Sequence, residues 1–326
     1  MYDRLKLANY RSIATGPCAL CPANGTNDAM LWTELREDAS WVFACYTAAL
    51  WRALHPNHIA LLDLPGASVL TYMPDIMHNK HMGTDAYLYA STLWVLCYLL
   101  LDGAPSVNLQ RVWAMMLEWY QANPLMKQYK FANLKLSMFT DPDEPMKTSP
   151  KMKGTASEVR ALGPALLHVW ERLVPTTDAT PMWKRHVHLA LKHSCRIEEI
   201  LGANSESLTF DDDDAAAFAK STFRMLLGYN AARAFFAEEL PPDEQLKLFN
   251  VTIKFHYMAH IGLLAKWYNP RVGWCYGGED YMAKCKKLMA SCVRGNSPAD
   301  ATRKFLDKYF IGMGIELCGA DSWYEY

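Results

Sequence analysis

The loops around which many nucleotide- and ester-processing enzymes are built are missing from this sequence. It holds no G-x-x-x-x-G-K-[ST] segment, no G-x-G-x-x-G and no G-x-S-x-G elbow, so the phosphate cradles and nucleophile turns those patterns supply are excluded. An excess of charge of one sign is missing too: 33 Lys and Arg stand against 34 Asp and Glu, for a net charge of −1. A chain held to nucleic acid only by phosphate contacts is generally basic, so any basic surface here must be local. Long apolar runs are short of what a bilayer needs. The greasiest stretch, Tyr87 to Leu101, falls below the ~20 residues of a membrane span and is expected to be a buried helix. Met1-Tyr2-Asp3-Arg4 leads into a polar segment without the apolar core of a secretory leader. The nine cysteines are odd in number and scattered, which suits reduced thiols. A nuclear or cytoplasmic protein without a membrane partner is therefore expected.

What the sequence does contain is core-forming material. Hydrophobic residues make up 51% of it and aromatics 12%, including 11 Trp and 17 Tyr, which a disordered chain would lack. Helical spacing of apolar residues predicts helices over Trp32–Leu54, from Asp75 through Leu101, and over Val107–Ala122, 156–173, 182–202, 213–239, Phe249–Trp267 and Asp280–Cys292. Asp102-Gly103 ends the second of these, and the acidic run Asp211 to Asp214 reads as a helix N-terminus. Ser68 to Met73, β-branched and bounded by Gly66 and Pro74, is predicted to be a strand. Residues 1–30 read as irregular, and 140–153, rich in Pro and charge, as a surface loop or linker. The fold class is mainly α, an α-rich α+β. The expected divisions are 1–66, 67–106, 107–245 and 246–326.

Three groups of residues could carry chemistry. Asp75, with His78 and His81 behind it, stands between the predicted strand and the next helix. That position suits a ligand site at a sheet edge, and it suits a helix N-cap equally well. Glu279 follows Gly277-Gly278 at a helix start, with Lys284, Lys286 and Lys287 after it. An acid beside a basic face fits a metal-bound phosphodiester, and a helix-initiating Glu fits the same pattern. Cys18-x-x-Cys21 is half of a tetrahedral zinc site. The nearest further ligands in sequence, Cys45, His55 and His58, have no recognised spacing, so any zinc held there is expected to be dispensable for folding of the remainder. His256 and His260 share a helix face, as a metal pair would. No Glu follows the first, and they read as core histidines.

The segment "MPDIMHNKHMG" resembles the D-x-M-H-N block around the second catalytic Asp of eukaryotic DDE transposases, of the CACTA-type and Kyakuja–Dileera–Zisupton groups. "KFHYMAHI…NPRVGWCYGGEDYMAKCKKL" is similar to their last block, where a K-x-H-x-x-x-H segment precedes the helix bearing the catalytic Glu. The resemblance implies a remnant RNase H-like core interrupted by a large helical insertion. It makes Asp75 and Glu279 ligands of Mg²⁺, with His78 beside them, and implies DNA as partner, with Lys254, Lys284, Lys286 and Lys287 on its side. In such chemistry two divalent ions activate the attacking oxygen and stabilise the leaving one. The first catalytic Asp of the family has no counterpart: Asp3, Asp28, Asp38 and Asp63 lie in no alternating strand. The resemblance therefore implies a degenerate or truncated catalytic domain. The alternative is a non-catalytic helical scaffold or partner-binding protein in which both acids cap helices. A metal-binding regulator built on Cys18 and Cys21 comes third.

Overall fold

The computed structural model describes residues 18–318, apart from 55–63, 66–70, 72–73, 128, 176, 178, 243–244, 294 and 296. Helices dominate: α1 (Ser40–Phe43), α2 (Ala48–Leu54), α3 (Asp85–Val95), α4 (Pro105–Ala122), α5 (Pro124–Lys127), α6 (Ala156–Leu173), α7 (Met182–Ala203), α8 (Asp212–Ala234), α9 (Ile253–Leu264), α10 (Tyr276–Val293) and α11 (Pro298–Cys318). Among the described residues no strand forms, and one isolated parallel bridge joins Asn24 to Leu31. The predicted strand Ser68–Met73 lies outside the described residues except for Thr71. The chain divides into two compact units, Met1–Trp274 and Cys275–Tyr326.

In the first unit, the centre of the core is the run from Met77 to Leu100, in which π-helical Met77–Thr84 and Leu96–Leu100 flank α3. Leu88, Tyr89, Leu93, Trp94, Val95 and Leu96 are all buried. A helix apolar on every side is stable only when surrounded by protein, and no helix among the described residues is long and apolar enough to cross a membrane. Gly103, at φ 127°, turns the chain out after it, as Asp102-Gly103 suggested. Around this run lie α4, α6, α7 and α9. α6 opens with a capping box: Thr155 Oγ1 accepts from the Glu158 N–H, and the Glu158 carboxylate accepts from the Thr155 N–H. α8 opens on Asp211, whose carboxylate accepts from the Asp214 N–H at 2.7 Å, so the acidic run does cap a helix. α7 and α8 pack most extensively. At Gly228 a Cβ would lie 2.7 Å from the His186 carbonyl oxygen, so the two backbones approach as closely as they do because that residue has no side chain.

Two predicted elements differ, and one helix is added. Trp32–Leu54 is not one helix but two short ones. The Tyr46 N–H donates to the Leu20 carbonyl (2.9 Å) and Trp41 Nε1 to the Glu34 carbonyl (2.7 Å), so tertiary contacts take the backbone groups a continuous helix would use. α9 begins at Ile253, not Phe249. Phe249 has φ 53°, and its N–H donates to Ser91 Oγ at 2.9 Å. α11 was not foreseen at all. Within the second unit it pairs with α10, with Tyr281 against Tyr309 and Lys308 Nζ 3.0 Å from Ser291 Oγ.

Candidate metal centre

The Cys18-x-x-Cys21 segment forms a tight knuckle. The Leu20 N–H donates to Cys18 Sγ at 3.3 Å, and the Ala23 N–H donates to Cys21 Sγ. Sulfur is a weak acceptor until it is a thiolate, so two backbone donors aimed at these sulfurs favour the deprotonated, metal-ligating form. Both cysteines are almost fully buried. A chain this short cannot bury itself. It is covered by α9, and the Tyr46–Leu20 hydrogen bond holds its far side.

α9 supplies the other half. His256 and His260, one turn apart, both point at the knuckle: His256 Nε2 lies 3.3 Å from Cys21 Sγ, His260 Nε2 lies 3.3 Å from Cys18 Sγ, and the two Nε2 atoms are 3.2 Å apart. All four ligand atoms fall within 4.8 Å of one another. A tetrahedral ion with usual Zn–S and Zn–N bonds requires S···N edges of about 3.6 Å and an N···N edge of about 3.3 Å. The observed separations are those of a single-ion site. A two-iron cluster, with cysteines on one iron and histidines on the other, would hold the sulfurs and nitrogens farther apart. Trp41, fully buried, closes the site from the side, its ring centroid 4.3 Å from that of His256 and 4.9 Å from that of His260. Cys45 Sγ stands 3.9 Å from His260 Nδ1, the nitrogen turned away from the knuckle.

The four groups influence one another's charge strongly. Burial opposes charge on Cys18, yet the hydrogen bond with Cys21 and the nearby His260 hold its thiol well below the usual range. Burial and the Cys18 thiolate push the Cys21 thiol up. Burial alone would lower His260, but Cys18 outweighs it and raises the imidazolium to about 9, while burial keeps His256 neutral. The four groups are thus tightly coupled, with the Cys18 thiol pulled down and the His260 imidazolium raised by each other's presence. With metal, all four can ligate, cysteine as thiolate and histidine as neutral imidazole. The cluster is thus a possible metal-binding site of two sulfurs and two nitrogens, a donor set that suits zinc.

Sequence reading found each half and missed their union. Cys45, His55 and His58 were weighed as partners because they are close in sequence, whereas the true neighbours stand 235 and 242 positions away. The expectation that a metal at Cys18 and Cys21 would be dispensable rested on missing partners, and that premise fails. The usable signal was two orphan half-sites, C-x-x-C and H-x-x-x-H, in one chain. His256 and His260 do belong to the core, but as half of this cluster.

The other candidates fall as follows. Asp75 caps the helical run that begins at Ile76: its carboxylate accepts from the Met77 N–H (3.0 Å), the His78 N–H (3.2 Å) and the His78 ring. Glu279 lies on α10, and its side chain is outside the described residues, as therefore is any convergence with Asp75. Lys284, Lys286 and Lys287 are exposed on that helix. Lys254, half-buried at the start of α9, donates to the Met82 carbonyl at 3.0 Å, and burial lowers its pKa.

His81 joins Asp85 and Glu198 in a second group of potential ligands, but a cation already sits among them. Lys80 Nζ, fully buried, lies 2.7 Å from Asp85, 2.8 Å from Glu198 and 3.2 Å from Ser194 Oγ. Glu198 also takes His81 Nε2 at 2.8 Å and Arg160 Nε at 2.7 Å. Two carboxylates, Asp85 and Glu198, meet the two permanent cations Lys80 and Arg160, with the His81 ring also on Glu198, so the group is balanced without an ion and reads as a structural network. Compared with known proteins, the chain matches no family model, no curated protein and no solved structure.

Proposed function

We propose that this is a zinc-binding helical protein in which one Zn²⁺, held by Cys18, Cys21, His256 and His260, fastens the N-terminal segment to the core helix α9. The observation that carries the reading is the burial of four soft or borderline ligands at single-ion spacing, with no water-facing side. A catalytic zinc keeps a coordination position open, whereas a structural one is closed by four protein ligands. The role supported is therefore architectural. The ion orders residues 18–54, which contain only short helices and could not hold themselves against the core by propensity. Elemental analysis of protein purified without added metal tests it. About one zinc per chain is expected, falling to background in Cys21→Ser and in His256→Ala. A wild-type chain free of zinc and unable to take it up would refute the reading.

A second reading, a transposase-derived protein related to Mg²⁺-dependent DNA cleavage, draws on one observation beyond the sequence. The two blocks that carry the resemblance pack directly on each other, Lys254 Nζ on the Met82 carbonyl across 172 positions, with Gly83 against the Lys254 side chain. Against it, the Asp75 carboxylate is engaged in capping. Under this reading the zinc clamp would position α9 beside the Asp75 helix. Mg²⁺-dependent strand cleavage, abolished by Asp75→Ala with zinc content intact, would establish it. Absence of cleavage would leave the architectural role alone.

A further inference from the structure

We infer that Cys45 is a positioning residue of the zinc centre: its sulfur accepts the ring N–H that His260 carries when Nε2 holds the ion. The inference rests on the zinc reading and adds to it a side chain that does not itself ligate.

The chemistry of an imidazole ligand calls for such a group. A histidine that binds a metal through one nitrogen and stays neutral keeps its remaining proton on the other. His260 turns Nε2 to Cys18 Sγ, so its proton belongs on Nδ1. The residue is 2% exposed, and a buried N–H without an acceptor is costly. Cys45 Sγ lies 3.9 Å from that nitrogen, at the long end of an N–H···S contact. The thiol's own hydrogen is directed elsewhere, to the Trp41 carbonyl oxygen at 3.6 Å, which leaves the sulfur lone pairs for the imidazole.

The sulfur is held where it stands. Just before it, the Ala44 N–H donates to the Trp41 carbonyl at 3.2 Å, and just after it the Tyr46 N–H donates to the Leu20 carbonyl at 2.9 Å. Backbone hydrogen bonds on both sides thus fix Cys45, and the second runs to the 18–21 knuckle itself. Trp41, whose carbonyl takes the thiol hydrogen, is fully buried with its ring against both imidazoles. A chain of contacts therefore leads from the His260 ring through Cys45 to Trp41 and back to the ligands. Cys45 stands outside the ligand set. The four atoms that share one ion's reach belong to Cys18, Cys21, His256 and His260, and Cys45 lies behind the His260 ring, on its other nitrogen.

Outer partners of this kind tune metal affinity by about 10–100-fold. Zinc affinity of the full chain, read by competition with a chromophoric chelator, tests the role alongside Tm of the metal-free protein. Cys45→Val keeps the size and removes the acceptor. It should bind zinc at least about tenfold more weakly than wild type, with the metal-free Tm unmoved. Cys45→Asn, whose side-chain carbonyl reaches toward the same nitrogen, should recover most of that loss. In nitrogen-edited NMR spectra of the zinc-loaded wild type, the His260 Nδ1 proton should exchange slowly with solvent, and faster in Cys45→Val. Packing alone would not move that exchange, and the wild-type spectrum does not depend on either variant folding. Wild-type affinity in Cys45→Val, an Asn variant as weak as the Val one, or a fast-exchanging Nδ1 proton in wild type would each overturn the positioning role and leave the zinc centre standing. A wild-type chain that takes up no zinc would remove the centre and this role with it.

Discussion

Removing the metal is expected to destabilise the whole first unit, not merely its N-terminal segment. The bridge from Cys21 to His256 closes a loop of 235 positions. Treated as a cross-link, a closure of that length removes enough freedom from the unfolded chain to contribute about 5 kcal/mol. The stability of a whole domain is only about 5–15 kcal/mol. Loss of the ion also leaves two cysteine and two histidine side chains buried without it, which adds to the cost. At roughly 2–4 °C per kcal/mol for a unit of this size, Tm should fall by about 10–20 °C. The assay is thermal unfolding followed by circular dichroism at 222 nm, with and without a chelator of nanomolar zinc affinity. Cys21→Ser and His256→Ala should unfold near the chelated wild-type temperature and be insensitive to chelator. The double variant should cost little more than either single one, because the four ligands act as a unit. A Tm unmoved by complete zinc removal, or a chelator effect that persists in His256→Ala, would refute the reasoning.

Further outcomes follow from the same structure. Zinc uptake should release protons near neutral pH, because cysteine ligates as thiolate and histidine as neutral imidazole, so apparent affinity should fall with acidification; potentiometric titration reads the release. Lys80→Ala should cost about 3–5 kcal/mol in denaturant unfolding, because it leaves the buried Asp85 carboxylate without its cation and takes one of the cations from Glu198. Burial works against the Glu198 charge, but Lys80, His81 and Arg160 hold its carboxyl well below the ordinary value. Its contribution is therefore complete above the unfolded carboxylate value of about 4.3 and lost as pH falls through the folded one. Glu198→Gln should accordingly show a shallower loss of stability below about pH 4 than the wild type. Gly228→Ala should destabilise by about 1–3 kcal/mol by forcing α7 and α8 apart. Gly202→Ala, where a Cβ would meet nothing within 4 Å, should be neutral or stabilising by up to about 1 kcal/mol. If the two glycine variants unfold alike, the close approach of the backbones is not what Gly228 provides.

What the sequence determined by itself was local. The helices 156–173, 182–202 and Val107–Ala122 were legible almost to the residue, because apolar spacing, caps and breakers all act within a few positions. The Asp211 cap was legible for the same reason, as was the burial of Leu88 to Cys97 within the run Tyr87 to Leu101, though Leu99 near its end is exposed. Asp75 was left open between a ligand site and a cap, and its carboxylate accepts from the Met77 N–H, the His78 N–H and the His78 ring, as a cap does. Tertiary structure decided the rest. It broke Trp32–Leu54 at Tyr46, whose N–H is claimed by Leu20, and it delayed α9 until after Phe249, which packs with a backbone no helix uses. It also placed Lys80 between Asp85 and Glu198, which no spacing rule could foresee across more than a hundred positions. The candidate metal centre shows the division most plainly. The sequence wrote C-x-x-C and H-x-x-x-H, each a chemically complete half-site on its own element. Only the packing of α9 onto the 18–21 knuckle brings two sulfurs and two nitrogens within reach of one ion, because periodicity reports which face of a helix is buried but not what lies against it.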